Sequence, residues 1–406
     1  MAENQLTADL LLGDHEGELT VHAVRGREEV SRPSRFEVDF SGKDVDVDGV
    51  VGAPVTLRLE SGIGGERHLC GVVEALSVVA ADPGGEGKDL RYRATVVPQP
   101  YLVLSQRRGF RIFQEKSVPE IVRAVCKDVG LEVERFDWGN VGGTYLSREY
   151  CVQYGESEWD FICRLLEDEG VFFAFHHTAD GERMCFADAS SGVELQSPES
   201  LDFSFLPQVD ASSARAWDVR HQTRLRPSKA TVNDSDMLRP GNPLLASARA
   251  EEAVSREWYE YPGGYRAPAE GKRRAQARLD ELRTPRVTVR GRTDALVVEA
   301  GRRFKLEGHP TLDGEYFLTA VDFHLRLQQA VANGRPLVDE GDCRCEVGFE
   351  AIPVAQTFRP ARLTARPRAV GLQSARVTGP AGQEIHCDEH GRVKLQFPWD
   401  REGQLD

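Results

Sequence analysis

The chain has 406 residues, with 65 acidic against 51 basic side chains and a formal net charge of −14. Hydrophobic residues make up 40% and charged residues 29%, a folded, water-facing balance that excludes a largely disordered chain. No apolar run nears the roughly 20 residues of a membrane-crossing helix, and the negative excess argues against general nucleic-acid binding, which needs a basic surface.

Length predicts two to four domains, each with its own core. The N-terminal MAENQLTADLLLGDHEGELT carries no Lys or Arg before Arg25, so it is not read as a secretory signal and cytoplasmic folding is expected. Eight scattered cysteines fit no disulfide scaffold and are expected reduced.

In chain order, residues 18–104 read as mostly strand. Phe36–Phe40 and Val55–Glu60 alternate apolar and polar, and His68–Val79 pairs with Leu90–Val97 around the turn-rich Asp82–Gly87. Gly62-Ile63-Gly64-Gly65 joins two strand patterns with no helix behind it, which favours a turn over a phosphate loop. Many short strands at this spacing suggest a sandwich or barrel.

Two helices follow. Ser117 with Glu120 forms a capping box, Ile121, Val122, Val125 and Val129 share one face, and Gly130 ends it. A second helix starts at Ser157 with Asp160 at the box position and stops at Gly170. Val171–His176 then reads as an apolar strand paired with Arg183–Ala187 across Asp180-Gly181. Tyr150, Tyr154, Trp159 and Phe161 are expected to anchor the second helix against Val171–Phe175.

From Arg215 strand character returns, with a weaker helix near 269–282. Val287–Glu299, Arg303–Glu307, Glu315–Leu325 and Cys343–Glu350 are strand candidates. Tyr259, Tyr261, Pro262, Gly263, Gly264 and Tyr265 place aromatics around a Pro-Gly-Gly turn, rigid contact area suited to a subunit interface. Phe358–Val370, with Pro360 and Pro367, reads as an extended connector that reaches rather than packs. Arg392–Phe397 alternates as a half-buried strand, and Pro398–Gly403 as a strand end entering a turn.

Signals for chemistry are weak. His386-Cys387-Asp388-Glu389-His390 crowds five residues on a turn, which favours a polar turn over a metal site. Cys343 and Cys345 lack a second pair. His176 and His177 point to opposite faces of one strand and cannot share a site. Glu167, Asp168 and Glu169, at a helix C-terminus, read as a solvated rim or a cation-docking surface, with a general acid/base pair as the lesser reading. No nucleophile elbow, zincin pattern or phosphate loop is present.

Three blocks carry a resemblance. Arg148-Glu149-Tyr150-Cys151-Val152-Gln153-Tyr154-Gly155-Glu156-Ser157-Glu158-Trp159-Asp160-Phe161, continuing to Gly170, is similar to the most recognisable segment of VgrG proteins, the trimeric spikes of type VI secretion systems. Tyr259–Tyr265 resembles their Tyr-Pro-Gly-Gly block. Gly379–Ile385, Asp388–Phe397 and Trp399–Gly403 resemble the opening of their OB-fold, where Pro398 replaces a common histidine. Trp399 joins the structural candidates on this ground.

The resemblance implies a mainly β, phage tail-hub-like fold with α+β insertions. Two antiparallel β-barrels would occupy 1–105 and 211–352, the second with a helical insertion at about 236–284. An α/β insertion would fill 106–210, a linker 353–373, and the first strands of a truncated OB-fold 374–406. It also implies a structural, non-enzymatic homotrimer without cofactor or metal. Such a trimer would dock on a hexameric Hcp tube and baseplate components, carry effectors and a PAAR tip, and leave the cytoplasm through the type VI apparatus. A cell-wall hydrolase using Glu167 and Glu169, or the hub of a phage tail or extracellular contractile system, are the alternative readings.

Overall fold

A computed structural model describes residues 6–81, 90–205, 214–327, 331–332, 335–336, 344–383 and 386–401. The chain divides into two compact units. The larger takes Met1–Leu102, Glu134–Gly143 and Glu169–Ala361, the smaller Val103–Val133, Thr144–Asp168 and Arg362–Asp406.

In the larger unit, β1 (Leu6–Leu12), β2 (Leu19–Glu29), β3 (Arg35–Gly42), β4 (Pro54–Ser61), β5 (Gly65–Ala81) and β6 (Leu90–Val97) form an antiparallel run in the order β1-β4-β5-β6-β3-β2. β1 returns beside β2 without a ladder pairing the two, so the run curls into an open barrel. Period-two alternation sends Val38, Phe40, Leu57, Leu59, Tyr92 and Ala94 inward. Phe40 stacks on Tyr92 with centroids 5.3 Å apart. Burying such a side chain contributes about 1.5–3 kcal/mol. Strand β1 was not foreseen: Leu6, Leu10 and Leu12 alternate inward within a leucine-rich stretch that masks the period. The loop expected at Asp82–Gly87 lies outside the described residues.

After α1 (Gln99–Ser105) come β7 (Arg108–Phe113), α2 (Val118–Asp128), β8 (Phe136–Asn140), β9 (Cys151–Ser157), α3 (Glu158–Glu169), β10 (Phe172–Thr178) and β11 (Gly181–Ala187). Both helices carry their expected caps. The Glu120 carboxylate accepts from the Ser117 backbone N–H at 2.8 Å, and Ser117 Oγ donates to it at 2.6 Å. Asp160 N–H donates to Ser157 Oγ at 3.0 Å. Gly130 (φ +76°) and Gly170 (φ +73°) take the left-handed conformation that ends each helix. In the smaller unit α2 and α3 accompany the antiparallel pair β7–β9; in the larger, β10-β11-β8 form a three-stranded sheet.

The second barrel uses β12 (Leu195–Phe203) and β13 (Arg215–Thr223), then resumes after an inserted subdomain. That insertion is β14 (Lys229–Val232), β15 (Ala246–Arg249), β16 (Glu257–Glu260) and α4 (Pro268–Arg283). The expected helical insertion is therefore a three-stranded sheet covered by a helix. Its four-residue strands are too short to show a period. β17 (Val287–Thr293), β18 (Arg303–Glu307), β19 (Gly314–Arg326) and, past a short pair β20 (Val331–Ala332) and β21 (Arg335–Pro336), β22 (Arg344–Pro353) complete the barrel.

Its order is β19-β18-β12-β13-β17-β22, and β22 pairs back on β19, closing six strands into a ring. Within it β12 runs parallel to both neighbours, and the other pairs are antiparallel. The two barrels share one ladder, because β2 pairs with β19 from Ala23↔Arg326 to Glu29↔Ala320. Strand β17 stops at Thr293, short of the expected Glu299. Thr293 Oγ1 accepts from the Ala295 N–H at 3.0 Å, and Asp294 turns to accept from Arg215 N–H at 2.8 Å. The apolar Ala295, Leu296 and Val298 are buried as a loop rather than a strand.

The expected connector has irregular backbone but buried contacts. In the larger unit Phe358 packs on Phe172 and Phe317, at 5.1 and 5.3 Å, and Arg359 donates to the Gly170 carbonyl at 2.9 Å. In the smaller unit β23 (Arg376–Thr378) pairs with β24 (Lys394–Gln396). Val393 and Leu395 are each about half exposed.

Candidate functional site

The Tyr-Pro-Gly-Gly block divides into an inner and an outer part. β16 leads into a cis Tyr261–Pro262 bond and then Gly264, at φ +71°. The Asp234 carboxylate fixes this turn by accepting from the N–H groups of Gly264 (2.5 Å) and Tyr265 (3.3 Å). Tyr265 is 4% exposed and its hydroxyl reaches the carbonyls of Val232 and Leu244. It packs with Ala275 and Leu279 of α4, so Tyr265 is an interior anchor and not a contact residue. Gly263 and Gly271 face its ring, where a β-carbon would collide.

Tyr259 and Tyr261 are 55% and 58% exposed. They sit against polar neighbours, Tyr259 Oη 3.2 Å from Asn233 Nδ2 and Tyr261 Oη 3.4 Å from Ser235 Oγ. Trp258 lies under the Arg278 guanidinium at 5.3 Å. The outer part thus presents two semi-rigid phenol rings beside a cation-capped indole.

The aromatics expected to anchor α3 also separate. Phe161 and Trp159 are buried, and Phe161 stacks on Phe113 at 5.6 Å. Tyr150 is 52% exposed and anchors nothing in the core. Tyr154 instead meets Phe110 at 5.2 Å and Trp399 at 5.7 Å, and Trp399 stacks on Phe397 at 5.1 Å. Trp399 Nε1 donates to Gln373 Oε1 at 3.1 Å. Tyr154 on β9, and Tyr150 just before it, alternate with the buried Cys151 and Gln153.

The acidic run is neither solvated nor free. Glu167 accepts from Thr364 N–H (3.0 Å) and Oγ1 (2.8 Å). Asp168 pairs with Arg366 at 2.5 Å; burial opposes its charge, yet Arg366 and Arg148 hold it below the usual range. Glu169 pairs with Arg273 at 2.5 Å. All three are buried, which corrects the solvated-rim reading: arginines apposed to Asp168 and Glu169, and Thr364 on Glu167, are partners invisible in local sequence.

In the His386–His390 run, Asp388 accepts from the N–H groups of Arg392 and His390, each at 2.9 Å, as a polar turn does. Cys343 lies outside the described residues. Among the described residues no group of three His, Cys, Asp or Glu is placed to hold a metal, and no helix is long and apolar enough to cross a membrane.

Sequence reasoning missed one buried charged cluster. Glu28 of β2, Arg67 of β5, His177 of β10 and Glu299 before β18 converge where the barrels meet the β10–β11 hairpin. Arg67 reaches Glu28 at 2.5 Å and Glu299 at 3.4 Å, and donates to the Val298 carbonyl at 3.0 Å. Its guanidinium lies 5.6 Å over the Phe323 ring. Burial pushes Glu28 up to about 7 against the pull of Arg67. Glu299 falls to about 2, since Arg67 and the other nearby cations outweigh its burial. Burial and Arg67 together push His177 down to about 3. Only the apolar strand ending in His176-His177 hinted at it. His176, on the opposite face, lines a cavity of 240 Å³ with Cys185, Arg183 and Gly301.

Comparison with known proteins places this geometry. Residues 27–330 match the family described as phage tail baseplate hub (GPD). The Pseudomonas aeruginosa type VI secretion system spike protein VgrG1b is 32% identical over 398 residues, covering 95% of this chain and 52% of that protein. The chain therefore spans about half the length of the curated relatives it matches. In structure, an E. coli type VI secretion component, described as similar to the T4 bacteriophage tail proteins gp27 and gp5, superposes with TM-score 0.71. The identity is 21%, over 96% of this chain and 89% of that one. A Francisella PdpA–VgrG complex gives 0.53 at 8% identity, over 94% and 56%. The chain belongs to the phage tail baseplate hub family, and it is similar to the VgrG spike proteins of type VI secretion systems over about half of their length.

Proposed function

We propose that the chain is the hub portion of a type VI spike, a coupling that matches a hexameric tube to a trimeric puncturing spike and carries effectors without catalysing a reaction. One observation carries this reading: two six-stranded barrels fused through β2 and β19. Three such copies about a threefold axis present six barrels in a ring, the symmetry that a hexamer needs. On this reading the partners are two further copies, an Hcp tube, baseplate components, a PAAR tip and effectors. A VgrG of like fold is described in complex with PdpA, which supports a protein partner. The proposed domains are a first barrel at 1–105, an α/β insertion at 106–210, a second barrel at 211–352, a linker at 353–373 and OB-fold strands from 374. Export through the type VI apparatus follows from the same reading.

The exposed Tyr259 and Tyr261 are proposed as contact residues of the assembled hub. The hydrolase reading finds no support in Glu167 and Glu169, whose carboxylates are buried against Thr364 and Arg273. Light scattering tests the proposal. The expected mass is about 135 kDa, three times 45.1 kDa. A stable monomer at tens of micromolar, together with micrographs lacking threefold particles, would remove it.

A further inference from the structure

The 240 Å³ cavity lies against one face of the β10-β11-β8 sheet, apart from the ladder that joins the barrels. Strand register decides which side chains share that face. His176 stands opposite Arg183, Ala174 opposite Cys185, and Cys185 beside Asp137 on β8. The facing wall is made by Val193-Glu194 and Gly301-Arg302. Arg303 ties the two segments together, donating from its N–H to the Glu194 carbonyl at 3.1 Å and from Nε to the Val193 carbonyl at 2.6 Å. Gly301, at φ +85°, comes so near the sheet that a β-carbon on it would overlap that of Ala174. The space equals roughly eight waters at their liquid volume, enough for one small molecule.

The polar groups around this space divide into those already satisfied and those left over. Arg302 is committed to Glu194 at 2.5 Å and to Glu299 at 3.2 Å. Cys185 is no nucleophile, because burial pushes its thiol up to about 12. Three groups remain. His176 Nε2 is buried with no hydrogen-bond partner, which is uncommon for a buried nitrogen. The Arg183 guanidinium has no ion pair among the described residues. The Asp137 carboxylate accepts from the Gly139 N–H at 2.8 Å and likewise has no ion pair among them.

Arg183 and Asp137 therefore carry opposite charges on one face without pairing. One strand across and two residues along puts their Cα atoms about 8 Å apart. Beside them the lining is apolar, with Phe172, Ala174 and Val193 all buried. A lone anion in the cavity would meet the Asp137 carboxylate, and a lone cation would meet Arg183. The complement of this set has an anionic end, a cationic end and a small apolar body.

We propose that the cavity binds the zwitterion of a free, small apolar amino acid, its carboxylate on Arg183 and His176 and its ammonium on Asp137. Its side chain lies against Phe172, Ala174 and Val193, so that polar groups fix the orientation and apolar ones the size.

Titration of the full chain with leucine tests this, read from the ring signals of isotope-labelled His176 and assigned through His176→Gln. The signals should shift and saturate at about millimolar ligand or below. Leucinamide lacks the carboxylate and leucic acid lacks the ammonium; each should bind about tenfold more weakly. Glycine, without the apolar body, should lose about as much. Arg183→Gln and Asp137→Asn change exposed side chains and should each weaken leucine about tenfold, with the melting temperature unaltered. Absence of a saturable shift at about 20 mM leucine would overturn the site. Equal affinity for leucine and leucic acid, or for leucine in the wild type and either variant, would overturn the zwitterion assignment.

Discussion

The ring of Tyr265 covers the Cα of Gly271 so closely that a β-carbon on Gly271 would overlap it. The glycine is the docking point of α4 on the β14–β16 sheet, and it explains a residue that otherwise weakens a helix. Gly271→Ala should therefore destabilise this subdomain by about 1–3 kcal/mol, despite alanine's better helix propensity. Urea unfolding followed by a lowered midpoint is the expected result, and an unchanged or raised midpoint would show that the ring has room to shift.

Tyr259→Ser combined with Tyr261→Ser removes two exposed rings that fill no core. Stability should stay within about 0.5 kcal/mol. Self-association should weaken by about tenfold or more if these rings are contact anchors. Sedimentation over a concentration series separates the two effects, and an unaltered oligomer would dismiss the patch as an interface.

Arg67→Leu leaves Glu28 and Glu299 buried without their shared cation. The expected loss is about 3–5 kcal/mol, the scale for orphaning a buried charge. The double variant Arg67→Leu, Glu28→Leu should recover part of it. Thermal melts of both proteins measure the difference, and a double variant no better than the single one would contradict the pairing.

Phe161→Ala should cost about 3–5 kcal/mol, since the ring is fully buried against Phe113. Tyr150→Ala, half exposed just before β9, should cost no more than about 0.5 kcal/mol. Equal losses at the two positions would restore the reading in which both anchor the helix.

The contrast between Phe161 and Tyr150 also shows what sequence could and could not say. Local signals were legible: the Ser117–Glu120 and Ser157–Asp160 caps, the glycine stops at Gly130 and Gly170, and the alternation of β3 and β4 all stand in the structure. The β character followed from strand spacing, and the hub-like arrangement from the resemblance. What stayed hidden was non-local. Glu28 and Glu299 are separated by most of the chain, and nothing near either one announces the other or Arg67. The acidic run at Glu167–Glu169 looked solvated because Arg273 and Arg366 lie about a hundred and about two hundred residues away. Short strands such as β14 and β16 gave no period to read, and the loop after Thr293 was apolar enough to imitate a strand.

The ladder from Ala23↔Arg326 to Glu29↔Ala320 carries one more implication. Neighbouring strands in a sheet are rotated by roughly 20–25°, a value set by backbone sterics. Barrels spliced along a common rung inherit their mutual aim from main-chain geometry, not from whichever residues decorate the outside. Exterior side chains can therefore drift freely over generations while the bearing of one barrel to the other persists.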